Sequence, residues 1–169
     1  MYDRCNGVAR TFEQGGRPYG RMFPTDYYWS LFEDNDLRLE AWHKRYWIYD
    51  VNTAEDPLPE GVEIGDTVTV DNLVETGGFG NAVINPCTKK YWEGDGLDRV
   101  IDDAASRKNL IQYRYSEAFL VAAEGYLKSG TNLNRGQELL DILRARAGQE
   151  SIELNEENIL EEQAHELGH

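Results

Sequence analysis

Apolar residues recur with helical spacing only in the last third of this chain. Tyr115, Phe119, Ala122 and Tyr126 stand at i, i+4, i+7 and i+11, and Leu120, Ala123 and Leu127 widen the stripe. That period predicts an amphipathic helix, and Gly130 is placed to end it. Asn134 can cap a second helix, with Gln137 completing a capping-box pattern. Leu139, Leu140, Leu143 and Ala147 form its inner face, and Gly148 sits where a C-terminal stop belongs. Asn155 opens a third helix whose apolar side reads as Leu160, Ala164 and Leu167. The first two make an antiparallel αα-hairpin of tetratricopeptide character, with the small-residue ending Ala123-Glu124-Gly125-Tyr126-Leu127-Lys128-Ser129-Gly130. Only one such repeat is visible. A lone repeat cannot bury its own apolar face, so the aromatic N-terminal third, or chain outside this sequence, is expected to cover it.

Upstream the pattern is irregular. Residues 1–24 are rich in Gly and Pro and read as loop. Thr25 can cap a short helix over Asp26–Phe32 with Tyr28, Leu31 and Phe32 on one face, and Asp34-Asn35-Asp36 stops it by competing for backbone groups. Residues 37–49 form a second aromatic-rich element for which helix and strand both stay open. From Asp50 to Asp98 the chain is rich in Pro and Gly, and only Thr67-Val68-Thr69-Val70 alternates as a short strand should. The expected fold is mainly α: tetratricopeptide-like helical hairpins with a long loop-rich insertion and minor β. Residues 1–169 read as a single domain made of an aromatic-rich segment (1–50), a loop-rich segment (51–112) and a helical segment (113–169).

Composition narrows the function. The 169 residues hold 17 Lys+Arg against 31 Asp+Glu, a formal charge of −14. Binding nucleic acid requires cations that neutralise phosphate, and anionic membrane surfaces attract the same cations. Both partners are therefore disfavoured. No stretch is apolar enough for a spanning helix, and no apolar run follows Met1 as a secretory leader would require. Residues 1–50 are nearly charge-balanced at −1 and hold 12 of the 19 aromatic residues, while seven glutamates and no Lys or Arg fall between Glu150 and His169. That tail reads as a solvated acidic face. Cys5 and Cys87 are too few for a disulfide framework, and whether they pair stays open.

Several strings carry possible chemistry. His165-Glu166-Leu167-Gly168-His169 is a literal H-E-x-x-H, the pattern in which two histidines on one helix face bind zinc and the glutamate acts as base. It offers His165 and His169 as alternative metal ligands and a zinc metalloprotease fragment as an alternative function. Against it, a catalytic site needs a third protein ligand, the other histidine, His43, lies in an unrelated segment, and both histidines fall opposite the Leu160/Ala164/Leu167 side, so they should face solvent. Gly77-Gly78-Phe79-Gly80 lacks the Lys and following helix of a phosphate loop. Asp34-Asn35-Asp36 and Glu93/Asp95/Asp98 lack the spacing of a calcium loop and read as turn-capping acids. Trp42, Tyr46, Trp47 and Tyr49 form an aromatic cluster beside His43, Lys44 and Arg45. Such rings can stack on sugar faces, although Trp42 and Tyr46 at i, i+4 also suit a core stripe.

Ordered motifs across the chain resemble one family. Residues Tyr113-Arg114-Tyr115-Ser116-Glu117-Ala118-Phe119-Leu120-Val121-Ala122-Ala123-Glu124-Gly125-Tyr126 resemble the "R-x-A-E-x-Y-L-x-A-A-E-A" helix of the SusD/RagB outer-membrane lipoproteins. Leu143-Arg144-Ala145-Arg146-Ala147-Gly148 resembles their "N-x-x-R-x-R-A-G", and Ile159 to Leu167 resembles "I-L-x-E-R-A-R-E-L". Pro24-Thr25, Asp34-Asn35-Asp36-Leu37-Arg38, Gly65-Asp66-Thr67 and Lys89-Lys90-Tyr91 match further family signatures in the right order. The resemblance implies a non-catalytic, cell-surface protein of the outer membrane that binds an oligosaccharide and works with a SusC-like TonB-dependent transporter, without a cofactor. Members are longer and continue beyond the last motif, so the chain is expected to be a C-terminal portion truncated at both ends, with the lipid anchor elsewhere and Cys5 not lipidated. Trp42, Tyr46 and Trp47 are the expected ligand-binding residues. A helical-repeat scaffold binding protein or peptide is the remaining alternative.

Overall fold

The computed structural model describes residues 5–9, 11, 14, 24–69, 86–90, 109 and 111–168. Among them lie five helices and four two-residue strands, the mainly α fold with minor β that the pattern predicts. The chain divides into two compact units, one of Met1–Phe23 with Trp42–Asn109 and one of Pro24–Ala41 with Leu110–His169. Both cut across the three stretches read from sequence.

The second unit is helical. Helix α1 (Asp26–Ser30) starts at Thr25, whose side chain accepts a hydrogen bond from the Tyr28 N–H as an N-cap should. Helix α2 (Leu37–Trp42) resolves the ambiguity of residues 37–49 in part: the chain is helical only as far as Trp42. Helix α3 (Tyr115–Ser129) ends at Gly130, and α4 (Leu133–Arg146) follows after a three-residue turn. These two form the predicted hairpin. Its apolar heart is Leu120, Leu140 and Leu143, flanked by Phe119, Ile152 and Leu154. Gly136 lets the helices close together, since a Cβ there would meet the Leu154 side chain at 2.8 Å and Tyr126 Cβ at 3.2 Å. Helix α5 (Glu156–Leu167) is capped by Asn155, which accepts from the Asn158 N–H at 2.8 Å, and it packs on α3.

Three sequence expectations are corrected here. The stripe of α3 is rotated: Ser116, Leu120 and Ala123 are buried, while Tyr115 is exposed. Helix α4 begins at Leu133 instead of after Asn134, with Asn132 in the left-handed region at the cap position. Gln137 therefore lies inside the helix, where it brackets the chain that leads to α5. Its Nε2 donates to the Ile152 carbonyl at 2.7 Å and its Oε1 accepts from the Leu154 N–H at 2.8 Å. That bracket holds Ile152 and Leu154 over the hairpin's apolar face, so part of the cover expected from the N-terminal third comes from residues just after the hairpin. Gly148 does stop α4, at φ +73°, and there a Cβ would also press on Leu37.

The first unit is loop-rich around small ladders. Strand β1 (His43–Lys44) pairs antiparallel with β4 (Cys87–Thr88), and β2 (Trp47–Ile48) with β3 (Thr67–Val68). Cys5, Val8, Trp47, Tyr49 and Val68 form its core, with Leu58 and Val62 against it. Side chains bind the loops that have no ladder partner. The Gly7 N–H donates to Asp56 Oδ1 at 3.0 Å and the Ala9 N–H to Asp50 Oδ1 at 2.6 Å. Gln14 Nε2 donates to the Ile48 carbonyl at 2.9 Å.

Candidate functional site

The aromatic cluster does not sit on one helix. Helix α2 ends at Trp42 and the chain turns at once into β1, so the i, i+4 relation of Trp42 and Tyr46 has no helical meaning. The ladder then sorts the rings. Trp47, on β2 opposite Val68, is buried in the core of the first unit, and His43 on β1 is buried too. Tyr46, in the link between β1 and β2, is 44% exposed, and Trp42 is half-buried. Two ammonium groups lie by these rings: Lys90 Nζ is 4.7 Å from the Trp42 ring centre, and Lys44 Nζ is 5.6 Å from that of Tyr46 and 5.8 Å from that of Trp47. These distances are within the reach of cation–π attraction. The pairing of β1 with β4 brings Lys90 to Trp42, and the Lys89 N–H donates to the Trp42 carbonyl at 2.6 Å. Trp42 thus has Lys90 beside it and Tyr46 has Lys44 beside it, with Trp47 in the core of the same unit. Cys5 lies in that core, where burial pushes its thiol up to about 11; the Tyr49 hydroxyl opposes this and Asp56 adds to it.

A second constellation lies in the helical unit, and the sequence reading had it inside out. The buried residues of α5 are Ile159, Glu162, His165 and Glu166, whereas Leu160 is 64% exposed. Glu150, Glu153, Glu156 and Glu157 are exposed as an acidic face requires, but Glu162 and Glu166 are not, and His165 does not point to water. Arg38 explains the inversion. Its Nε and Nη2 grip Asp36 Oδ1 and Oδ2 at 2.9 and 2.6 Å, and its Nη1 donates to Glu162 Oε1 at 2.5 Å and Glu166 Oε1 at 3.0 Å. Arg144 Nη1 reaches Glu162 Oε2 at 3.4 Å, Arg146 pairs with Glu166, and Arg114 Nη1 donates to the Glu166 carbonyl at 2.7 Å. A buried carboxylate is tolerable only when paired and hydrogen-bonded. Burial alone would raise Glu162, but the His165 hydrogen bond and the Arg38 charge outweigh it and hold the carboxyl down to about 2. Burial would likewise lower Arg38, yet Asp36 and Glu162 raise it.

His165 Nδ1 lies 3.4 Å from Glu162 Oε2, and its Nε2 lies 2.8 Å from the Leu31 carbonyl oxygen. Both ring nitrogens are engaged within the protein. Its intended partner His169 lies outside the described residues, as do Gly77–Gly80, Glu93, Asp95 and Asp98. Among the described residues no group of three or more His, Cys, Asp or Glu side chains is arranged to hold a metal ion.

Compared with known families, residues 15–167 match the profile of the SusD family. The chain belongs to the SusD family. Comparison with curated proteins and with solved structures gives no match. The SusD signatures quoted from the sequence acquire a physical reading in this fold. Asp36 and Arg38, Arg114, Arg144 and Arg146, and Glu162 and Glu166 come from four separate motifs, and all of them meet in the one buried network. These SusD motifs therefore mark how the helices dock, while Trp42 and Tyr46 lie in the other unit. No signal within α5 alone could have found the network, because its cations sit on three other stretches of chain.

Proposed function

We propose that this SusD-family chain is the saccharide-binding part of a non-catalytic nutrient-binding protein at the cell surface, which passes its ligand to a SusC-like TonB-dependent transporter in the outer membrane. Family membership over residues 15–167 carries the reading. Trp42 and Tyr46 are the proposed stacking surface, since a ring face complements the C–H face of a sugar, and Trp47 is assigned to support within the core of that unit. Lys44 and Lys90 stand beside the rings, within reach of ligand oxygens. Two rings make a small contact, so affinity is expected to be low, because the cost of ordering the ligand offsets most of the gain.

The test is a titration of oligosaccharides followed by tryptophan emission, run on the unaltered chain and on Trp42→Ala and Tyr46→Ala. A saturable change for one saccharide class, weakened about tenfold or more in either variant, supports the assignment. A broad panel that leaves emission unchanged in all three proteins overturns Trp42 and Tyr46 as the binding site. Co-purification of the intact protein with a TonB-dependent transporter from outer membranes tests the partner separately.

A further inference from the structure

The functional reading above makes no use of the strap of residues 5–9 that enters the core of the loop-rich unit. Cys5-Asn6-Gly7-Val8 is a turn closed by the Val8 N–H on the Cys5 carbonyl at 3.2 Å, with Gly7 at φ +82° in its third place. Gly7 is held on every side. Its N–H donates to Asp56 Oδ1 at 3.0 Å, and its carbonyl accepts from the N–H groups of Asp50 at 2.8 Å and Val51 at 3.0 Å. A Cβ there would meet Leu58 at 2.7 Å and Tyr49 at 2.9 Å. Asp56 is itself buried, and its own N–H donates to Thr53 Oγ1 at 3.0 Å.

Asparagine followed by glycine is a reactive pair. Glycine puts no Cβ in the way of its own nitrogen, and the single methylene of asparagine lets that nitrogen close a five-membered ring. The Gly7 nitrogen, losing its proton, would bond to Asn6 Cγ; the bond from Cγ to the amide nitrogen breaks, and ammonia leaves with that proton. Water then opens the succinimide at either carbonyl and leaves an aspartate or a β-linked isoaspartate at position 6. Asp56 opposes the first step twice. Its oxygen fixes the direction of the Gly7 N–H, so the lone pair left by ionisation would point at Asp56 instead of Asn6 Cγ. Its charge also disfavours an anion forming beside it. The two bonds at the Gly7 carbonyl restrain the rotation that could free the nitrogen.

We propose that Asn6–Gly7 is a succinimide-forming modification site that the fold keeps closed, with Asp56 as its lock. The site opens when the strap leaves the core, and either product then fits badly on return. An aspartate adds a charge one residue from the Gly7–Asp56 bond. An isoaspartate adds a main-chain carbon between Cys5 and Val8, both buried, beside a glycine with no room for a further atom. Opening of this unit is thereby recorded covalently. The experiment incubates the whole chain at one pH over a series of guanidinium chloride concentrations, from none to full unfolding. Mass spectrometry follows the peptide carrying residues 5–9, chromatography separates its two product isomers, and Gly7 amide exchange is read in parallel. The folded chain should react at least about tenfold more slowly than the unfolded one, as one charge-assisted bond requires. The rate should climb with denaturant in step with Gly7 exchange. Without denaturant, Asp56→Ala should react about tenfold faster than the unaltered chain, Asp56→Asn, which keeps an acceptor oxygen, should retain most of the protection, and Asn6→Gln should abolish the product. A rate indifferent to denaturant, a product that survives Asn6→Gln, or Asp56→Asn reacting as fast as the unfolded chain would each overturn the lock. Should Asp56→Ala unfold the unit, the denaturant series on the unaltered chain and the Asp56→Asn rate still decide.

Discussion

The two units of this protein both bury carboxylates, and they do so for opposite reasons. In the loop-rich unit the buried Asp56 accepts from the Gly7 N–H, as the exposed Asp50 does from the Ala9 N–H. There the chain runs without a ladder, and side-chain oxygens take the place of missing backbone partners. In the helical unit the backbone satisfies itself, so Glu162 and Glu166 are free to meet Arg38, Arg144 and Arg146 from other elements. Buried acid in the first unit stands in for secondary structure. In the second it selects which helix faces dock. An apolar face slides over another at small cost, whereas a carboxylate cut off from its guanidinium leaves an uncompensated charge.

The largest test of that contrast removes Arg38. Arg38→Ala leaves Asp36, Glu162 and Glu166 buried without their shared cation, and urea denaturation should register a loss of about 3–5 kcal/mol. Trp47→Ala empties the core of the loop-rich unit instead and should cost about 3–4 kcal/mol through cavity formation. Hydrogen exchange then separates the two. Each variant should lose protection first among its own unit's amides, and an even loss across both units for either variant would erase the distinction drawn here.

Acid is the next lever. Glu162 is held at about 2 against an ordinary value of 4.5, so the unfolded chain takes up its proton first as pH falls. The stabilisation is complete above about pH 5 and drains away as pH drops toward 2, amounting to up to about 3 kcal/mol. The urea midpoint should follow that slope in the intact protein and flatten in Glu162→Gln. A midpoint independent of pH between 5 and 2 would mean that Glu162 is not held by the arginines as described. The smallest effect concerns the α4 stop. Gly148→Ala must hold φ near +73° and crowd Leu37, which should lower stability by about 1–2 kcal/mol. The cost falls in the helical unit, where the Leu37 N–H donates to the Ala147 carbonyl at 3.0 Å, and a neutral result would show that this junction is loose.

Much of the helical unit was legible in the chain. Gly130, Gly148 and Asn155 punctuate the three long helices where the pattern placed them, and the buried line Leu139, Leu140, Leu143 and Ala147 was read correctly. The faces of α3 and α5 were not. An apolar count places Leu160, Ala164 and Leu167 inside and Glu162, His165 and Glu166 outside, since an isolated charged helix face prefers water. The arrangement of Trp42, Tyr46 and Trp47 was illegible for a different reason. Residues 42–49 change from helix to two short strands, and no period survives a segment that switches conformation every few residues.

What the sequence determined unaided was local: caps, stops and the 3.6-residue repeat act within a few residues and need no partner. Its family membership was legible too, because the signatures keep their order along the chain. Only the tertiary structure decided which surfaces are inside. Arg38 lies 124 positions from Glu162 along the chain and 2.5 Å away in the fold. The free energy of a charge depends on what surrounds it, and for Glu162, His165 and Glu166 those surroundings exist only once the helices have met.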